Sequence, residues 1–129
     1  MEKKLIDTCI LIDYSRKKQT AIDFIEGDGK ENFYINSIVS MELMQGAMNR
    51  LELQNLKKIL NDFRKLFITQ EILDLATDLL EYYKLSHHPK MPDMIIAATA
   101  LTYNVEIKTY NLKDFQCIPN IKVSDDLTI

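Results

Sequence analysis

The chain has 129 residues, 47% of them hydrophobic, with a formal net charge of −3. That is enough apolar material for one packed domain and too much for a disordered chain. A non-specific nucleic-acid binder is usually basic, so the mild acidity argues against simple electrostatic capture of DNA or RNA. No run approaches the roughly 18–20 apolar residues of a membrane span. The basic start Lys3-Lys4 leads into an apolar segment, but Asp7 and Asp13 interrupt it and no small-residue cleavage site follows. The expectation is therefore a core strand in a cytoplasmic protein. Cys9 and Cys117 have neither CxxC spacing nor a matching histidine pattern, so they read as ordinary half-buried thiols.

In chain order, Lys3–Asp7 reads as a strand ending on an acid, and Thr8–Tyr14 as a helical or irregular piece. Gln19–Glu26 reads as a short helix. The run from Glu26 to Lys30 holds two of the three glycines and signals a turn. Asn32–Asn36, rich in aromatic and β-branched side chains, is a second strand. Ser37 is placed to cap a helix reaching about Met48.

Leu51–Phe63 repeats Leu53, Leu56, Ile59, Leu60 and Phe63 along one face and predicts a longer helix. Lys65–Ile68 is a third strand, and Gln70–Leu85 a further amphipathic helix. The sequence His87-His88-Pro89 ends that helix, where paired histidines cap carbonyls more often than they bind metal. Pro92 suits the first turn of a helix running to about Tyr103. Val105–Thr109 and the edge-like Ile121–Val123 complete the strands. This alternation predicts a three-layer α/β/α sandwich around a mostly parallel sheet, in a single domain over residues 1–129. In such sheets ligands bind outside the carboxyl ends of the strands.

Most of the 19 acids are solvated surface groups. Asp7 stands at the carboxyl end of the first strand, where it either faces a ligand or caps the next turn. Glu42 lies on a half-buried helix and needs a partner, ordinarily a Lys or Arg. Asp93 begins a helix with almost no polar surface, as a ligand or as a residue favoured by the helix dipole. Asp114 follows the strand ending at Thr109, and its ordinary reading is a turn acid. Two carboxylates about 5 Å apart repel by roughly 3 kcal/mol at an effective dielectric near 20. Four together therefore point to a hard divalent cation, Mg²⁺ or Mn²⁺.

These segments resemble a known family. Leu5-Ile6-Asp7-Thr8-Cys9-Ile10-Leu11-Ile12-Asp13 is similar to the opening motif of PIN-domain proteins, and Ser40-Met41-Glu42-Leu43-Met44-Gln45-Gly46-Ala47 to their second. Asp93-Met94-Ile95-Ile96-Ala97-Ala98-Thr99-Ala100 resembles the third motif, and Thr109-Tyr110-Asn111 through Asp114-Phe115 the fourth. Within the family, the likeness is to VapC-type toxins of toxin–antitoxin pairs.

The resemblance implies a PIN fold, Mg²⁺- or Mn²⁺-dependent cleavage of RNA, a homodimer, and a small antitoxin that blocks the active site. It implies Asp7, Glu42 and Asp93 as metal ligands and Asp114 as the fourth acid, with Asn111 as its competitor. Thr8 and Thr109 would hold carboxylates by hydrogen bonds. Family members are often more basic, so RNA contact here would fall to groups such as Lys3, Arg16, Lys17, Lys18, Arg50, Lys57 and Lys58. The alternatives are a PIN-like binding module that no longer cuts, and a phosphohydrolase with Asp7 as nucleophile. The latter chemistry wants a second Asp two positions on, where this chain has Cys9.

Overall fold

Three short apolar runs, Leu5–Ile6, Phe33–Ile35 and the centre of Glu106–Lys108, are buried and form the middle of one sheet. The computed structural model describes residues 3–128. Its strands are β1 (Lys4–Ile6), β2 (Phe33–Ile35), β3 (Arg64–Lys65), β4 (Glu106–Lys108) and β5 (Val123–Ser124). Every pairing is parallel, in the order β3-β2-β1-β4-β5. Parallel neighbours need crossovers, and α-helices supply all but the last, which carries only a 3₁₀ turn at Leu112–Asp114. The α-helices are α1 (Thr8–Ser15), α2 (Gln19–Asp28), α3 (Ser37–Gln45), α4 (Arg50–Asn61), α5 (Gln70–His87) and α6 (Met91–Tyr103). The expected α/β/α layering around a parallel sheet is what forms.

The strand order fixes where a site can lie. From β1 the chain works outward through β2 to β3, then crosses back to add β4 on the other side of β1. The connections leaving β1 and β4 therefore diverge, and a crevice opens between their carboxyl ends. Helix α6 seals the sheet beside it. All seven residues from Met94 to Ala100 are buried, and the small side chains Ala97, Ala98 and Ala100 let the helix sit close.

Several boundaries differ from the sequence reading. Thr8–Ser15 is fully helical because the Asp7 carboxylate caps it, its Oδ1 accepting from the Thr8 N–H. The first glycine of the Glu26–Lys30 run is absorbed into α2, and the break falls at Gly29, whose φ of 94° suits a residue without Cβ. Helix α3 is capped by Asn36 rather than Ser37, and it ends at Gln45 rather than near Met48. Asn36 is wholly buried. Its Oδ1 accepts from the Val39 N–H while its Nδ2 donates to Thr99 Oγ1 on α6. Strand β3 is Arg64–Lys65, not Lys65–Ile68. Both residues are exposed, and charged side chains there protect a sheet edge from further pairing.

Candidate active site at the carboxyl edge of the sheet

Asp7 is the first residue beyond β1, and Thr109 the first beyond β4. Their side chains meet across the crevice. Thr109 Oγ1 donates to Asp7 Oδ2 at 2.8 Å, and the backbone N–H of Asp7 donates to the Lys108 carbonyl at 2.9 Å. With Thr8 N–H on its other oxygen at 2.8 Å, the Asp7 carboxylate is held at both ends. Asp7 thus combines the two roles left open by its position, since it caps α1 and faces the crevice. It is only 5% exposed. Burial raises its pKa against the lowering effect of the Thr109, Thr8 and Cys9 hydrogen bonds, and the charge of Asp114 raises it further.

Thr8 turns the other way. Its hydroxyl donates to Glu42 Oε1 at 2.8 Å, tying the start of α1 to α3. The sequence reading expected a Lys or Arg beside Glu42. A threonine hydroxyl takes that place, so the glutamate is oriented without its charge being neutralised.

Asp93 sits in the first turn of α6, but it caps nothing. Lys90 occupies the cap position with no side-chain hydrogen bond, and among the described residues no donor reaches the Asp93 carboxylate. Burial is the largest cause pushing its pKa up to about 7, followed by the charges of Asp7, Asp114 and Glu42, with Lys90 acting weakly in the opposite direction. The charges of Asp7, Glu42 and Asp114 therefore all reach Asp93, although the four acids come from four different parts of the chain.

Asp114 closes a short 3₁₀ turn, Leu112–Asp114, and its charge acts on both Asp7 and Asp93. Asn111 takes part differently. It is exposed, and its backbone N–H donates to Thr109 Oγ1 at 3.0 Å, orienting that hydroxyl toward Asp7.

Cys9, read from the sequence as an ordinary thiol, lies inside this network. Its sulfur is 3.8 Å from Asp7 Oδ2 and 3.6 Å from Thr109 Oγ1, and it accepts from the Tyr110 N–H at 3.5 Å. Burial pushes its pKa up, which keeps a neutral thiol beside the carboxylate. Only its place two residues after Asp7 could have signalled this.

The donor set is all carboxylate oxygen, with no imidazole among the four groups that interact. Among the described residues no three acids, histidines or cysteines are already drawn together closely enough to close around an ion. The arrangement is an open cluster of hard oxygen donors, and among the described residues two of the carboxylates, Asp93 and Asp114, accept no hydrogen bond. Such a set suits a small hard cation that keeps several waters, rather than one fully caged by protein.

The match to a PIN-domain family model spans residues 4–118. The chain belongs to the PIN-domain family. A ribonuclease VapC from Rickettsia bellii is 32% identical to this PIN domain, with 92% of each chain covered. Among solved structures, a toxin–antitoxin complex from Klebsiella pneumoniae matches with TM-score 0.76 and 35% identity, over 92% of this PIN domain and 95% of that chain. VapBC2 from Rickettsia felis, bound to a DNA fragment from its promoter, superimposes with TM-score 0.79 at 19% identity, a likeness of fold. Among the described residues of this PIN domain, no helix is long and apolar enough to cross a membrane.

Proposed function

We propose that this PIN domain is the endoribonuclease toxin of a toxin–antitoxin pair, hydrolysing RNA phosphodiester bonds with Mg²⁺ or Mn²⁺. The observation that carries the reading is the half-buried Asp93 beside the charges of Asp7, Asp114 and Glu42 at the β1/β4 crevice, where burial first and those charges second push its pKa up to about 7. Such a group is costly to keep ionised without a cation. The relatives named ribonuclease VapC and toxin–antitoxin complex supply the substrate class and the partner.

In this reading Asp7, Glu42 and Asp93 hold the ion directly, and Asp114 acts as the fourth acid. Bound there, the ion would activate the attacking water and offset charge on the phosphate oxygens. Thr109 and Thr8 fix the faces that Asp7 and Glu42 present, so little reorganisation is needed as the phosphate arrives. Asn111 serves through the Thr109 hydroxyl. A cytoplasmic location, a homodimer and an antitoxin that covers the crevice belong to the same proposal.

RNA cleavage measured with Mg²⁺ or Mn²⁺, and again with chelator, tests it. Asp7→Asn and Asp93→Asn should each abolish cleavage while leaving the fold intact. Undiminished cleavage in both variants would sink the assignment.

A further inference from the structure

Next to the carboxylates, and sharing Glu42 with them, a cleft of about 320 Å³ opens between α1 and the α3–α4 pair. Ile12, Leu56 and Ile59 give it an apolar floor, while Ser15, Asn55 and Arg16 stand among its polar lining groups. Glu42 belongs to the cleft wall and also to the carboxylate cluster, through its bond from Thr8. Whatever fills the cleft therefore lies directly beside the reacting phosphate.

Arg16 is the cation of this cleft. It follows the last turn of α1, where its N–H bonds to the Ile12 and Asp13 carbonyls. Its neighbour Lys18 is paired with Asp13 at 3.6 Å, whereas Arg16 makes no ion pair among the described residues. The cleft also holds two carboxylates, but each has a donor, Glu42 from Thr8 and Glu52 from the Met48 N–H, which leaves the exposed Arg16 guanidinium as the group at the rim open to an anion.

We propose that this cleft is a nucleotide subsite, taking the base next to the scissile phosphate on its apolar floor and a neighbouring phosphate on Arg16. The inference rests on the nuclease reading and adds a specificity pocket to it. Its volume is at the lower end for small-ligand sites, the scale of one ring system rather than of a packed helix. Its walls are helices, so no free strand edge is available for an extended peptide to pair with. Asn55 supplies a donor and an acceptor, and Ser15, whose hydroxyl donates to the Ile12 carbonyl, a further acceptor, which an apolar floor lacks and discrimination among bases requires.

Two measurements test it. In the first, nucleoside 5′-monophosphates (AMP, GMP, CMP and UMP) are titrated into the protein while the methyl resonances of Ile12, Leu56 and Ile59 are followed by NMR. Saturable shifts, lost in Arg16→Ala, are expected. In the second, RNA cleavage by Arg16→Ala should show KM raised roughly tenfold with little change in kcat, and Asn55→Leu should alter which base flanks the cut. Both positions are exposed, so the variants should fold as the parent does. Unmoved methyls, an unchanged KM, or a cleft that responds to antitoxin peptide and not to nucleotides would each overturn the subsite. If the parent protein cuts no RNA, the nuclease reading fails instead, and the titration still decides whether the cleft binds nucleotides.

Discussion

The Thr109 hydroxyl donates to Asp7 Oδ2 at 2.8 Å across a sequence separation of 102 residues, joining the ends of the two strands between which the topology reverses. Thr109 is wholly buried and accepts from the Asn111 N–H, so its single proton is committed to the carboxylate. Thr109→Val keeps the shape and removes that donor. Stability should fall by about 1–3 kcal/mol, because one oxygen of a buried carboxylate loses its partner. Cation affinity should fall roughly 10–100-fold. Thr109→Ser, which keeps the hydroxyl, should recover most of both. Denaturant unfolding and calorimetric titration with Mn²⁺ read the two effects separately.

Asp93 gives the metal-free protein a pH dependence of definite sign. Its folded pKa of about 7 lies above the ordinary value of 3.8, so the folded state holds its proton more tightly than the unfolded chain does. The contribution to stability is full below about pH 3.8 and is lost as pH rises through 7. In metal-free buffer, the part of the unfolding free energy due to Asp93 should therefore decline between about pH 4 and 7 and level off above that. Asp93→Asn should flatten that decline, and its advantage over the parent should be largest at pH 8. Thermal melts across this range, with chelator present, check the slope.

Added Mg²⁺ or Mn²⁺ should act in the opposite sense. An ion that binds only the folded state adds about 2.7 kcal/mol at a hundredfold excess over its Kd. Because it requires ionised carboxylates, the gain should grow with pH. Melting temperature measured with and without Mn²⁺ at pH 6 and pH 8 should show the larger increase at pH 8. Asp7→Asn should abolish the increase at both.

Much of this was legible in the sequence because the apolar segments alternate in length and period. The buried runs Leu5–Ile6 and Phe33–Ile35 read as strands, and Met94–Ala100 read as a buried helix. The four acids stood out where they interrupt such segments. Strand β3 escapes the sequence pattern because its two residues are polar and exposed and carry no burial signal, while the apolar Leu66 and Ile68 lie just beyond it. The Thr8–Glu42 and Cys9–Thr109 contacts join residues 34 and 100 positions apart, and local pattern holds no information about such pairs. Local rules favour Ser37 as the cap. Asn36 serves instead because its amide can cap α3 and also reach Thr99 on α6.

That Asn36–Thr99 clip connects the helix carrying Glu42 to the helix carrying Asp93, with both partners wholly buried. Thr99 Oγ1 itself donates to the Ile95 carbonyl at 2.8 Å, so it meets Asn36 as an acceptor. Asn36→Ala removes the cap and leaves the Val39 N–H unpaired. A loss of about 2–4 kcal/mol is expected, summing a lost cap and a broken buried hydrogen bond. Asn36→Ser should restore the cap but not the bridge, and so lose less. If the bridge also sets the spacing of the two acids, Asn36→Ser should bind Mn²⁺ more weakly than the parent while remaining folded. Calorimetry on that variant reads this directly.

The fourth acid can be separated from its neighbour by substitution. Asp114 acts electrostatically on Asp7 and Asp93, whereas Asn111 reaches the site through its backbone N–H, which any residue other than proline supplies. Asn111→Ala should therefore keep the Thr109 hydrogen bond and leave cation affinity within about twofold, since no contact of an ionised group is lost. Asp114→Asn removes a charge from the cluster. In metal-free protein it should lower the pKa of Asp93, because one of the charges that raises it is gone. With Mn²⁺ present it should weaken binding and cut RNA cleavage by about tenfold or more, the scale of one lost charge-assisted contact. The pKa is read by carbon-detected NMR titration of the Asp93 carboxyl, and cleavage by initial rates at saturating metal. Should Asn111→Ala prove the more damaging variant on both readouts, the amide rather than the carboxylate would be the fourth group at the metal.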